Sequence, residues 1–293
     1  MVEHYPVLHR EILNFFKNIK GKYIVDATVG GGGHSFLLLK SLPDIHIIGL
    51  DKDEYALKKA DEKLSQFKGR YTLVKSSFKD LDKVLAQLGI PEVSGFLFDL
   101  GVSMFQLKNE RGFSFQREEP LDMRMDTSQH LTAYQVVNQY PKDLLEKIIF
   151  EYGEEKFARK ITKNIVEYRK KKPIETTKEL ADIIYKTYPP PLRRKRIHPA
   201  TKTFQAIRIE VNNELNEIKE GVTKAIDRTQ KDGIIAVISF HSLEDRIIKN
   251  IFREAKKLKK VEILTKKPIT PGEEELKENP PSRSAKLRVA KRV

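Results

Sequence analysis

The 293-residue chain carries 55 Lys and Arg against 41 Asp and Glu, a formal net charge of +14, and no cysteine. Disulfides and thiolate chemistry are thereby excluded, and no apolar run approaches the ~18 residues of a membrane span. The length suffices for one large or two modest domains, and the charge balance points to a polyanionic partner, nucleic acid ahead of an acidic membrane surface.

The opening Met1-Val2-Glu3-His4-Tyr5-Pro6 lacks the basic, apolar, small-residue order of a signal peptide, so a soluble, cytoplasmic protein without membrane attachment is expected. Apolar residues at helical spacing from Pro6 to Phe16 predict a short helix that covers a sheet. Lys22-Tyr23-Ile24-Val25 reads as a strand and Ser35 to Lys40 as a helix, joined through four glycines, Gly30 to Gly33. Bare backbone there lets a ligand lie against the main chain at a helix N-terminus. A dinucleotide fingerprint would need a third glycine where Ser35 stands, and no Gly-Lys-[Ser/Thr] follows to make a nucleoside triphosphate loop. Asp26 ends the first strand, and Asp51 ends the next, in Ile47-Ile48-Gly49-Leu50-Asp51, where a carboxylate accepts ribose hydroxyls. This pattern resembles the S-adenosylmethionine (SAM) site of a Rossmann-like methyltransferase, with Thr28 where such proteins often carry their first glycine.

A helix over 53–67 and a strand at Tyr71-Thr72-Leu73-Val74 extend a β-α-β-α-β order, which predicts a parallel sheet with right-handed crossovers. Phe78 follows that strand, placed either to stack beside an adenine or to cap the core. A helix over 80–88 leads to the apolar strand from Val93, whose tip is Asp99-Leu100-Gly101-Val102-Ser103. Methyltransferases acting on exocyclic amines commonly carry Asn/Asp-Pro-Pro-aromatic at this tip; here both prolines are missing. Asn279-Pro280-Pro281-Ser282 imitates that motif but follows a polar tail, not a buried strand.

From Asn109 to Asp126 runs a long loop rich in charge, aromatics and methionine, of a length that usually serves function. Helices follow over 142–152, 154–171 and 177–188, the last opened by the capping box Thr176-x-x-Glu179, and a long helix begins at Thr201. The fold expected is therefore α/β, a mostly parallel Rossmann-like sheet with helices on both faces, formed by 1–107 and 216–293 and interrupted by a helical domain over 108–215. The segment Pro189 to Pro199, with Arg193, Arg194, Lys195 and Arg196, is basic and proline-stiffened, suited to phosphate contacts. The sheet resumes at Gly233 and ends at Ser239-Phe240-His241-Ser242, without the G-x-S-x-G turn of a nucleophilic serine. A basic helix over 243–260 and strands over 261–264 and 285–290 complete it, and the seven histidines lack zinc spacing, so no metal is expected.

Taken together, Thr28 to Ser35, Asp99-Leu100-Gly101-Val102-Ser103 with Gln106, Arg111-Gly112-Phe113-Ser114-Phe115, Leu121-Asp122-Met123-Arg124-Met125-Asp126, His198-Pro199-Ala200-Thr201 with Thr203-Phe204-Gln205-Ala206, and Ser239 to Arg246 closely resemble the bacterial ribosomal RNA small-subunit methyltransferase H family, also called the MraW family. The resemblance implies SAM-dependent methylation of N4 of a cytidine in the decoding centre of 16S rRNA, within the small ribosomal subunit, by a monomer or homodimer. It assigns cofactor contacts to Gly32, Gly33, His34, Asp51, Phe78, Asp99 and Gln106. Where many relatives have Ser-Ser-Pro before that glutamine, this chain has Ser103-Met104-Phe105.

The mechanism expected is in-line methyl transfer to the cytosine amine, driven mainly by positioning. Asp99 is the catalytic candidate, binding either the methionine end of the cofactor or the target amine. Phe113, Phe115 and Phe240 are candidate stacking surfaces for an unstacked base, with core packing as their other reading. Arg124, Arg193, Arg194 and His241 complete the candidate substrate contacts, and Asp122 with Arg124 forms an ion pair over the loop or serves structure alone. Two other readings stay open: a SAM-binding RNA or ribosome assembly factor with little catalysis, and an amine methyltransferase acting on DNA or protein.

Overall fold

A computed structural model describes residues 5–103, 106–107, 110–194 and 196–293. The chain divides into two compact units, Met1–Gly101 with Leu215–Val293, and Val102–Glu214. In chain order the first unit opens with α1 (His9–Phe16), β1 (Tyr23–Asp26), α2 (Gly33–Ser41), β2 (His46–Asp51), α3 (Glu54–Leu64), β3 (Tyr71–Lys75), α4 (Leu81–Gln87) and β4 (Val93–Asp99). The second unit contributes α5 (Ala133–Gln139), α6 (Lys142–Gly153), α7 (Ala158–Arg169), α8 (Thr177–Thr187) and α9 (Ala200–Asn212). The chain then returns through α10 (Glu214–Arg228), β5 (Thr229–Ser239), α11 (Ser242–Lys257), β6 (Val261–Ile263), α12 (Glu273–Glu278) and β7 (Lys286–Arg292).

The seven strands lie in the order β3-β2-β1-β4-β5-β7-β6. β1 to β5 are parallel, while β7 runs antiparallel between β5 and β6. Adjacent residues of one strand serve opposite cores, as the two-residue period of a sheet covered on both faces demands. Val25, Ile48, Phe96 and Ile235 pack with Val222 and Ile226 of α10 and Ile248 and Phe252 of α11. Ile24, Ile47, Leu97 and Ile234 pack with Leu8, Ile12, Phe16, Leu38 and Leu39 on the other side. This is the Rossmann-like arrangement, and it sets the carboxyl ends of the five parallel strands along one edge, where ligands of open α/β sheets bind.

The second unit is helical, with its own core of Leu145, Ile148, Ile161, Ile165, Leu180, Ile184, Phe204 and Ile207. Thr176 and Glu179 close the expected capping box, and an unexpected one, Thr132 with Gln135, starts α5. The helix expected over 154–171 begins only at Ala158, because Glu154 turns left-handed at φ 48° and ends α6. The long helix from Thr201 is likewise broken at Asn213, φ 51°. Among the described residues no helix is long and apolar enough to cross a membrane.

Candidate active site

The site is built from the turns that follow β1, β2, β4 and β5. After β1 the chain must reverse into α2 within six residues, and Gly30 and Gly32 do so at φ 51° and 79°. A Cβ on Gly32 would sit 3.3 Å from Ala60 Cα of α3, whereas on Gly30 it would meet only Thr28 O, at 3.9 Å. Gly32 is therefore closed by packing and Gly30 opens onto free space. The loop is pinned from three sides. Ser35 Oγ donates to buried Asp26 Oδ2 at 2.6 Å, the Asp99 amide donates to Thr28 Oγ1 at 2.6 Å, and the Gly30 amide donates to Asp51 Oδ2 at 3.0 Å. Thr28, standing where a glycine is common, thus ties the loop to the β4 tip.

Asp51 also accepts from the Asp53 amide, at 2.9 Å on Oδ1. These two amides favour its ionised form, yet burial outweighs them and pushes its pKa up to about 6. Asp99 Oδ1 is buried with no hydrogen-bond partner among the described residues. Burial, then the negative charge of Glu244, raise the Asp99 pKa to about 7.

His34 is buried beside it. Its Nε2 lies 2.8 Å from the Val7 carbonyl, which only accepts, so Nε2 carries the proton and Nδ1 of the neutral ring presents a lone pair. Nδ1 faces Asp99 Oδ2 at 3.7 Å. Burial lowers the His34 pKa while neighbouring Asp26 opposes that effect, leaving the neutral ring favoured near pH 7. After β5, His241 caps α11: Glu244 N donates to its Nδ1 at 3.4 Å, and the Phe240 amide donates to Glu244 Oε2 at 2.8 Å. Phe240 lies beside the β4 tip, since a Cβ on Gly101 would stand 3.5 Å from its Cδ2.

The first unit therefore brings together Gly32, Gly33, His34, Asp51 and Asp99 along one sheet edge, with Phe240 and His241 at the β5 tip of the same edge. Phe78 packs edge-on against Phe98, centroids 5.5 Å apart, and fills the space above Gly221. Pro6 covers the other flank of the loop, 3.4 Å from a Cβ placed on Gly33. Thr28, Ser35 and Glu244 were not anticipated as site residues. The spacing of His241-x-x-Glu244 at the start of α11 was the available signal for Glu244, hidden by a histidine in the cap position.

The remaining candidates belong to the helical unit. Gln106 is buried and accepts from the Ser103 amide at 3.0 Å, while Met104 and Phe105 lie outside the described residues. Arg124 forms a two-toothed ion pair with Asp122 at 2.8 and 2.9 Å and also donates to Thr127 O and Gln129 O, so it orders its own loop. Phe113 lies under the Arg111 guanidinium, and Phe115 stacks on His198 at 4.7 Å. Arg193 donates to Tyr188 O and Lys186 O, Arg194 and Arg196 are exposed, and Lys195 lies outside the described residues.

A family model described as the MraW methylase family matches residues 1–293. The chain belongs to that family. Proteins named ribosomal RNA small subunit methyltransferase H are similar to it over their whole length: that of Persephonella marina is 76% identical with 100% of both chains aligned, and that of Sulfurihydrogenibium azorense is 68% identical with the same coverage. The Thermotoga neapolitana protein of that name is 49% identical, over 99% of this chain and 96% of its own. As an MraW methylase the chain uses SAM, and its residues fit that cofactor. Gly30 leaves a hollow that any side chain would enter, Asp51 keeps lone pairs free for hydroxyls, and the bare Asp99 Oδ1 awaits a donor.

Proposed function

We propose that this MraW methylase transfers the methyl group of SAM to N4 of a cytidine in the decoding centre of 16S rRNA, acting on the small ribosomal subunit. The observation that carries the amine as target is the buried, unpartnered Asp99 Oδ1 at the β4 tip. The names of the relatives, aligned along the full chain, support ribosomal RNA as the substrate.

When bound, SAM supplies an electrophilic sulfonium methyl. The chain's residues do the rest. Asp51 and the glycine loop with Gly32, Gly33 and His34 would hold the nucleoside end, and Gln106 and Phe78 would complete the cofactor contacts. Asp99 Oδ1 accepts a hydrogen bond from the exocyclic amine, turning its delocalised lone pair toward the methyl group. The methylated nitrogen must shed a proton, and a carboxylate with a pKa of about 7 takes it near neutrality. His34 Nδ1 lies 3.7 Å from the second carboxylate oxygen. Phe240 offers a stacking surface for the extruded base, and the helical unit, with Arg193, Arg194, Phe113 and Phe115, serves substrate recognition.

The test is incubation with methyl-labelled SAM and small ribosomal subunits lacking the mark, followed by mass mapping. Label on a single cytidine N4 is expected. Label on duplex DNA or protein would transfer the activity to those substrates, and no label in RNA despite SAM binding would leave an assembly factor.

A further inference from the structure

α11 leaves the β5 tip and buries Glu244, Ile248, Phe252 and Ala255 on its inner face. On its outer side Lys249, Arg253 and Lys256 follow one another at intervals of four and three residues, which places them in one stripe. At 1.5 Å per residue the stripe is about 10 Å long. We propose that this stripe grips the phosphodiester backbone of an RNA strand leading to the methylated nucleotide, an inference that rests on RNA being the substrate.

The helix does not consume these cations itself. Of its acidic residues, Glu244 is buried, Asp245 is held by Arg288 at 2.6 and 3.1 Å, and Glu254 pairs with Lys257 at 3.2 Å. Arg253 and Lys256 have no hydrogen bond or ion pair among the described residues. The helix dipole favours Lys256 and Lys257 in the last turn. It gives no such reason for Lys249 in the first half, where the dipole is positive. A row of like charges at helical neighbour spacing destabilises a helix, and a bound polyanion relieves that repulsion. Because α11 starts at the active-site edge, a strand lying along it would arrive at Phe240 and Asp99.

The experiment compares Lys249→Gln/Arg253→Gln/Lys256→Gln with the parent chain and with Lys17→Gln/Lys20→Gln/Lys40→Gln, which removes equal charge from exposed positions elsewhere. Affinity for a fluorescein-labelled single-stranded RNA is measured across a potassium chloride series, and calorimetry with SAM verifies the fold. The stripe variant should lose about 2 from the log–log salt slope, roughly 0.7 for each lost phosphate contact, and the control should keep the parent slope. The proposal is overturned if the stripe variant keeps the parent slope, if the control loses as much, or if the parent itself binds no RNA. It also falls if the triple change abolishes capture by phosphatidylglycerol vesicles while leaving RNA binding intact. A parent that methylates small subunits while the stripe variant binds and reacts unchanged would sink the stripe alone.

Discussion

Asp99 and His34 were visible in the sequence as an acidic strand tip and an odd residue closing a glycine run, but their partnership was not. It depends on His34 Nε2–H donating to the Val7 carbonyl, a contact across 27 positions that no local pattern encodes. Only the ionised carboxylate accepts the amine proton, so methyl transfer should rise with pH and level off above about 7. Asp99→Asn should flatten that limb and slow kcat about 100-fold or more, read by single-turnover rates from pH 5.5 to 9. A limb that persisted in the variant would remove Asp99 from the proton's path. Stability carries the same signature with its own sign. Asp99 binds its proton more tightly folded than unfolded, so the native state holds the extra proton between the ordinary carboxyl value of 3.8 and about 7. That stabilisation is full below 3.8 and fades as pH rises through about 7. Thermal unfolding should therefore show Asp99→Asn gaining on the parent at pH 8 and not at pH 4.

The glycine turn illustrates how far an element can be inferred from residues alone. Its position between β1 and α2 followed from bare backbone at a strand-to-helix junction. Which glycine's Cβ position is packed and which is open did not follow, because that depends on α3 lying against Gly32. Gly30→Ala and Gly32→Ala should each cost about 1–2 kcal/mol for a left-handed residue. Gly32→Ala should cost more stability, since α3 must yield by a few tenths of an ångström. Gly30→Ala should lose more SAM affinity, because its Cβ enters open space. Scanning calorimetry and titration calorimetry separate the two, and the reverse ranking would show the ligand lying on the other side of the turn. Helix ends told a similar story: the Thr176 box was legible, whereas the breaks at Glu154 and Asn213 were not, because each is a non-glycine residue held left-handed at φ 48° and 51°. The parallel strands were legible because each is apolar along its length, as burial on both faces requires.

At the scale of the whole chain, segments near the two ends of the sequence meet beside the glycine loop. Glu275 in α12 accepts from the Leu8 amide at 2.8 Å, across 267 positions, and Leu8 itself is held left-handed at φ 52°. That bond sets the direction of the Val7 carbonyl, which in turn holds His34. The tail that reads as polar filler in the sequence is therefore a clamp on the N-terminal segment, and the segment covers the glycine loop through Pro6. The neighbouring pair Arg10–Glu274, at 2.7 Å, has both side chains about two-thirds exposed, 68% and 65%. Exposed pairs contribute little because water and salt screen them, so Glu274→Ala should leave SAM binding and unfolding unchanged. Glu275→Ala, by contrast, strands a buried-side amide at a strained residue and should cost about 1–3 kcal/mol locally. If that strain is released by letting the segment lift, its cost appears as faster SAM dissociation and a several-fold weaker Kd, with little change in the melting of the sheet. Stopped-flow displacement of SAM measures the first and thermal unfolding the second. Equal behaviour of the two glutamate variants would mean that the N-terminal segment lies over the loop without the clamp.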